Sequence, residues 1–252
     1  MRSFLAVRWV ESTLARTKSM QCVILAGGLG TRMRPLTDVC AKTLLPVAGR
    51  PFGWHQMQWL AAQGVDDVVY CIAHQGDQIR RYWESERAPV RSLRYVDEGT
   101  ELRGTGGALR LALDERVLDE AFFVLYGDSF LPVEFAPVWS AFEGSGSPAL
   151  MTVLKNQDRW DRSNVIFADG RVNLYAKDAE PGTQARMHYI DYGLSVLRRD
   201  VIAGIAESIF DLSAVFHRLS IEGSLAGYEV TERFYEIGSP EGLRDLEKYL
   251  GS

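Results

Sequence analysis

The chain has 252 residues, 46% of them hydrophobic and 24% charged, with 28 Lys and Arg against 33 Asp and Glu for a net charge of −5. This balance describes a globular protein with a substantial core, and the lack of a basic stripe argues against nucleic acid as its partner. Cys22, Cys40 and Cys71 are too few and too scattered for a disulfide framework or a zinc pair, and no stretch approaches the roughly 18 continuous apolar residues of a membrane span, so a soluble protein of a reducing cytoplasm is expected.

Residues 1–19 are read as an N-terminal extension outside the fold. Arg2, Arg8, Arg16 and Lys18 interrupt any secretory apolar core, while Phe4, Val7, Val10 and Leu14 have the spacing of a short amphipathic helix. Met20 directly precedes the first apolar run, and residues 20–252 are expected to form one domain. Strands are predicted at 21–26, 67–72, 92–96 and 121–126, with helices at 51–63, 75–84 and 105–114, an alternation that implies βαβ units and a parallel sheet. Gly64 ends the first of these helices. In the second half, a strand at 148–155, a hairpin turning at Asp169-Gly170 (164–167, 172–175) and a strand at 188–197 predict an antiparallel extension. Helices at 199–207 and 211–221, a strand at 227–230, a loop through Ile237 and a helix at 239–250 complete the order, Ser239 and Pro240 supplying the last helix with an N-cap and a first-turn proline.

The densest chemistry lies in Gln21–Gly49, QCVILAGGLGTRMRPLTDVCAKTLLPVAG. A buried-strand run ending at Leu25 and Ala26 opens into Gly27, Gly28 and Gly30, a turn whose backbone N–H groups suit a polyphosphate. Thr31, Arg32, Arg34 and Lys42 follow, and the cations supply the countercharge a triphosphate requires. The spacing is not that of a dinucleotide fingerprint, because Met33 stands where its third glycine would be, and no phosphate-loop GK[ST] follows. Further on, Asp128 follows Gly127 at the carboxyl end of a very apolar strand, where ligands collect in open α/β sheets.

The segment LAGGLGTRMRPLT…AKTLLPVAGRP resembles the signature of the sugar-phosphate nucleotidyltransferases, and the resemblance extends from Met20 to the end of the chain. Met33 and Ala41 depart from the usual Leu and Pro without removing a charge. The resemblance implies an α/β fold, a Rossmann-like three-layer sandwich with a mixed, mainly parallel sheet and an antiparallel extension (the nucleotide-diphospho-sugar transferase type). It implies that Arg32 and Lys42 are catalytic, holding the triphosphate and the reacting phosphates. Leu25, Ala26, Gly27, Gly28, Gly30 and Thr31, with Glu98, Gly104, Thr105 and Gly106, would bind the nucleotide. Asp128 would be a ligand of the cofactor Mg²⁺, joined by Glu236, which stands where the family has an aspartate. Lys177 would contact the sugar phosphate, although Ala176 replaces the usual acidic neighbour. Asp191 and Gly193 lie where the family has its sugar-binding strand.

The implied reaction joins a nucleoside triphosphate and a sugar 1-phosphate into a nucleotide sugar, of the kind used for cell-surface glycans, and pyrophosphate. Among compact relatives the chain most resembles guanylyltransferases of manno-heptose 1-phosphate, then uridylyltransferases of N-acetylmuramate 1-phosphate. The absence of hexapeptide repeats leads us to expect a single activity. A non-catalytic nucleotide-sugar-binding regulatory protein on the same fold and, remotely, a nicotinamide-dependent oxidoreductase remain as other readings. Base, sugar and oligomeric state, a homo-oligomer included, stay open. His55, His74 and His217 are read as structural or surface residues.

Overall fold

The computed structural model describes residues 20–156 and 158–251; the expected extension over residues 1–19, with its amphipathic helix, lies outside them. The first half comprises β1 (Met20–Leu25), α1 (Leu36–Val39), β2 (Pro46–Val47), β3 (Arg50–Pro51), α2 (Phe52–Ala62), β4 (Val65–Ile72), α3 (Gly76–Ser85), β5 (Ser92–Asp97), α4 (Gly104–Asp114) and β6 (Ala121–Tyr126). The second half adds β7 (Ser129–Phe130), α5 (Phe135–Ser145), β8 (Ala149–Lys155), β9 (Val165–Ala168), β10 (Arg171–Tyr175), α6 (Pro181–Gln184), β11 (Tyr189–Arg198), α7 (Arg199–Ala203), α8 (Leu212–Ile221), β12 (Leu225–Val230), β13 (Tyr235–Glu236) and α9 (Pro240–Gly251).

Among the described residues, nine strands form one mixed sheet in the order β5-β4-β1-β6-β11-β8-β12-β10-β9. Its first four strands are parallel, β11 runs antiparallel to both β6 and β8, and the β9–β10 hairpin closes the far edge. Asp169 and Gly170 both take left-handed φ values, 52° and 72°, as the expected two-residue hairpin turn requires.

Both faces of the parallel half are covered, which is why its strands are apolar throughout rather than alternating. On one face Cys22, Ile24, Tyr70 and Phe123 pack with Met57, Leu60, Phe135 and Trp139 of the helices. On the other, Val23, Leu25, Val69 and Val124 pack with Leu109 and Phe216. A smaller cluster, Val47, Phe52, Phe130, Ile237 and Leu246, lies under α9 and fixes the C-terminal segment against β7. None of the described helices is long and apolar enough to cross a membrane.

The short α1, β2, β3, β7 and α6 have no counterpart in the sequence reading, and three further elements differ from it. Helix α5 has no predicted counterpart; Pro137 falls in its first turn, where no intrahelical N–H is needed, and Gly146 closes it at φ 64°. The helix expected over 199–207 ends at Ala203, and residues 204–210 instead cross to α4. The loop expected through Ile237 contains β13, which pairs with β7 through Tyr235↔Phe130 and Glu236↔Ser129.

Candidate active site

The chain leaves β1 toward β4 on one side and returns through α4 to β6 on the other, so a crevice opens at the carboxyl ends of β1 and β6. The two ends are locked together: the Gly127 N–H donates to the Leu25 carbonyl at 2.8 Å, and a Cβ on Gly127 would lie 2.7 Å from that of Ala26. Beyond them is a cavity of about 280 Å³ lined by Leu25, Ala26, Gly27, Gly28, Gly30, Glu98, Gly104 and Thr105. Lys42, Tyr126, Asp128 and Asp211 also face it. A side chain at Gly28 would meet nothing within 4 Å, so its backbone is open to the crevice. Gly30, at φ 61°, turns the chain and is held by the Thr37 hydroxyl donating to its carbonyl at 2.8 Å. Thr31 and Arg32 follow on an exposed 3₁₀ turn.

Glu98 is 9% exposed and accepts the Arg103 N–H at 2.8 Å. Burial pushes its carboxyl above the ordinary range, partly countered by that N–H and by the Arg103 charge. Its Oε1 stands 2.6 Å from where a Gly27 Cβ would be, so the carboxylate backs directly onto the glycine turn. The GTGG segment divides in two. Gly104 and Thr105 line the cavity, whereas Gly106 and Gly107 turn toward residues 208–210 and donate their N–H groups to the Phe210 carbonyl at 2.9 and 3.0 Å. A Cβ at Gly106 would collide with the Phe210 ring at 2.2 Å. Gly106, expected at the nucleotide, is therefore not among the residues lining the cavity; its small size admits Phe210.

The charged end of the crevice gathers residues from three distant segments. Lys42 Nζ lies 2.5 Å from Asp128 Oδ2, with the two side chains 16% and 28% exposed. The β7–β13 pair brings Glu236 beside this ion pair, and the Ile237 N–H donates to the Asp128 carbonyl at 2.9 Å. The Glu236 side chain is exposed beside the cavity lining, yet desolvation by the surrounding protein pushes its carboxyl up to about 7. The negative charge of Asp128 adds to that rise, while Lys42 and Arg32 oppose it. Gly238 completes the cluster: a Cβ there would stand 3.0 Å from Arg32 Nη2 and 3.6 Å from Lys42 Nζ.

Outside the cavity lining, β11 carries a bulge between Asp191 and Ser195, within which Gly193 adopts φ 98° and donates its N–H to Asp191 Oδ1 at 3.0 Å. The kink re-aims Asp191, whose carboxyl is pushed up to about 6 by burial, opposed by the Gly193 N–H and by Lys177. Lys177 is exposed just after β10, within electrostatic reach of Asp191. Tyr126, which lines the cavity, feels the charges of both Asp191 and Asp128.

Asp211 and Tyr126 were not singled out in the sequence. Asp211 Oδ1 accepts from the N–H and hydroxyl of Thr105 at 3.3 and 3.4 Å, while Thr105 Oγ1 accepts the Leu212 N–H at 2.8 Å. An aspartate just before a helix gives no signal beyond an N-cap. Of the histidines, His55 pairs with the Val47 carbonyl and His217 with the Tyr175 carbonyl, so both are structural anchors.

Fold and crevice together define an α/β protein with a polyphosphate-sized, charge-ended cavity at its sheet switch point. Residues 21–207 match the family model described as nucleotidyl transferase, and the chain belongs to that family. It is 34% identical over 238 residues to mannose-1-phosphate guanylyltransferase 1 of Arabidopsis thaliana, covering 92% of this chain and 65% of that one. It is 26% identical over 225 residues to the mannose-1-phosphate guanyltransferase of Schizosaccharomyces pombe, covering 88% and 62%. The chain thus spans just under two thirds of the length of these relatives. Among solved structures it resembles HddC from Yersinia pseudotuberculosis, with TM-score 0.75 at 23% identity over 92% of this chain and 99% of that one. The same protein complexed with GMP-PN matches at TM-score 0.77 and 22% identity, again over 92% and 99%. A UDP-glucose pyrophosphorylase complexed with UDP-glucose matches at 0.75 and 14%, over 93% and 99%. These likenesses establish the fold as the Rossmann-like type of the nucleotide-sugar-forming transferases.

Proposed function

We propose that the crevice joins a nucleoside triphosphate to a sugar 1-phosphate, forming a nucleotide sugar and pyrophosphate. The observation that carries this reading is the convergence of Lys42, Asp128, Glu236 and the Gly238-backed Arg32 at one end of a glycine-floored cavity. A phosphate oxygen of the sugar 1-phosphate attacks the α-phosphorus; that P–O bond forms as the bond to the bridging oxygen of the β-phosphate breaks, and pyrophosphate leaves. The nucleophile is already ionised, so positioning and charge neutralisation carry the step without a general base. Arg32 grips phosphate oxygens through its planar fork, and Lys42 acts as a point charge at the reacting centre. Lys177 and Asp191 meet the sugar phosphate at the bulged end.

Asp128 and Glu236 fit a divalent cation. Glu236 pairs with Ser129, the residue after Asp128, and the two carboxyl groups are close enough for the charge of one to raise the carboxyl of the other. Mg²⁺ takes few protein carboxylates and draws on substrate phosphates for the rest, so these two residues would hold it together with the substrate. When bound there, Mg²⁺ supplies charge neutralisation to the phosphate oxygens.

For the substrates, the relatives named as mannose-1-phosphate guanylyltransferases and the GMP-PN complex of HddC favour GTP with a manno-configured sugar 1-phosphate, mannose or the manno-heptose. A matrix of four nucleoside triphosphates against a panel of sugar 1-phosphates, reading pyrophosphate, tests this. Turnover confined to GTP with a manno sugar is expected; turnover with UTP and N-acetylmuramate 1-phosphate would overturn the choice of pair, and pyrophosphate from no pair would overturn the reaction.

A further inference from the structure

Gln56 is charge-free, 2% exposed and absent from every pattern that marks the site, yet it reaches directly to the turn carrying Asp128. Its Nε2 donates to the carbonyl of Tyr126 at 2.9 Å and to the carbonyl of Ser129 at 2.8 Å. These two carbonyls flank Gly127-Asp128, so a single amide group clamps the backbone on both sides of the carboxylate. The Gln56 Oε1 is buried without a hydrogen-bond partner among the described residues. The side chain therefore serves as a double donor.

The same helix also fixes the other half of the ion pair. Gly53 lies three residues before Gln56 on α2, hence on the same face. A Cβ on Gly53 would stand 3.2 Å from the carbonyl of Thr43, the residue after Lys42, so the helix backbone presses against the Lys42 turn. The Phe52 N–H, at the start of α2, donates to the Leu45 carbonyl at 2.9 Å, tying that turn to the helix. One rigid element thus touches the Lys42 segment through Gly53 and the Asp128 turn through Gln56. These segments are 86 positions apart and meet at 2.5 Å.

We infer that Gln56 is a positioning residue: through its two hydrogen bonds it sets the Asp128 carboxylate against Lys42 and toward the cation the site would take. The alternative is a purely structural glutamine, whose loss would lower the folded fraction and leave the properties of each folded molecule unchanged. A buried amide that fills space needs no convergence of both hydrogens on the flanks of one functional residue. Groups that orient a metal-ligating carboxylate alter affinity and turnover by roughly 10- to 100-fold when removed.

The test uses the full chain with Gln56→Met, which keeps the length, removes both donors and also removes the unpartnered acceptor. Mn²⁺ alone is titrated by electron paramagnetic resonance, and melting is followed by circular dichroism. Mn²⁺ affinity is expected to weaken roughly 10-fold, and kcat to fall by a similar factor while the KM for nucleoside triphosphate moves less. The kcat and KM arm rests on the nucleotidyl-transfer reading; the Mn²⁺ arm decides the inference even if no sugar phosphate is accepted. Wild-type Mn²⁺ affinity in folded Gln56→Met would overturn it, as would failure of the wild-type protein to bind Mn²⁺. Should Gln56→Met not fold, Gln56→Asn keeps the donors but is a methylene short and reaches only one carbonyl. An affinity between those of wild type and a donor-free site is expected of it, and unchanged affinity would overturn the inference.

Discussion

Lys42 Nζ lies 2.5 Å from Asp128 Oδ2, joining the 3₁₀ turn after α1 to the turn after β6 across 86 residues of chain. The pair is half-enclosed and flanked by Glu236, so Lys42, with Arg32, counters two carboxylates at this edge of the crevice. On the proposed reaction, replacing it with Ala removes that charge from the reacting phosphates. Turnover is expected to drop by about 100-fold or more. The sheet and its core do not involve Lys42, and far-UV circular dichroism should be unchanged. Near-normal pyrophosphate release by folded Lys42→Ala would remove the residue from the mechanism.

Gly238 tests the placement of Arg32 without touching a charge. Its backbone does not need a left-handed conformation, so Ala is allowed there, but the added methyl would stand 3.0 Å from Arg32 Nη2. The guanidinium must shift by a few tenths of an ångström. With Gly238→Ala, kcat is expected to fall about tenfold with little change in melting temperature, because catalysis depends steeply on position. Equal kcat in the two proteins would show that Arg32 does not act from this position.

Asp211 anchors the cavity-facing start of α4 through Thr105. Asp211→Ala leaves Thr105 without its carboxylate partner at the cavity wall. The loss of one such hydrogen bond is expected to raise the KM for nucleoside triphosphate by a factor of roughly five to ten, with a smaller change in kcat. Initial-rate kinetics over a nucleotide series check this, and an effect confined to the KM for sugar phosphate would contradict it.

Folding raises the Asp191 carboxyl from 3.8 to about 6, through burial. The folded protein therefore keeps a proton there that the unfolded chain has already released, and ionising the buried group costs stability. This contribution is neutral below pH 4 and becomes progressively unfavourable as pH rises through 6. Asp191→Asn retains an acceptor for the Gly193 N–H and has no charge to bury. In denaturant unfolding at a series of pH values, the variant should gain on the wild type as pH rises through 6, the difference closing near pH 4. A difference independent of pH would contradict the burial of this carboxyl.

Much of the architecture is written locally. The apolar runs of β1, β4 and β6 announce a sheet buried on both faces, and Asp169-Gly170 announces its own hairpin. The glycine turn and Gly127-Asp128 are equally visible, because Arg32, Arg34 and Lys42 follow the first and a very apolar strand leads into the second, where turn-forming glycine and aspartate alone would say little. What local pattern does not display is pairing at a distance. The two-residue strands β7 and β13 have no periodicity, and they exist because the cluster of Phe130, Ile237 and Leu246 holds them together. Gln56 reads as an ordinary helical residue, its role defined only by two carbonyls more than 60 positions away. The packing at Gly106 is hidden for a related reason: a helix-entry glycine looks the same whether or not an aromatic ring such as Phe210 approaches it.

The most direct test of the whole account is ³¹P nuclear magnetic resonance of the wild-type protein with GTP, Mg²⁺ and mannose 1-phosphate or manno-heptose 1-phosphate. The account expects the paired resonances of a diphosphate diester to grow with an equal amount of pyrophosphate, and neither to form with Asp128→Asn. Release of inorganic phosphate and GDP without a diester, or diester formation undiminished in Asp128→Asn, would contradict it.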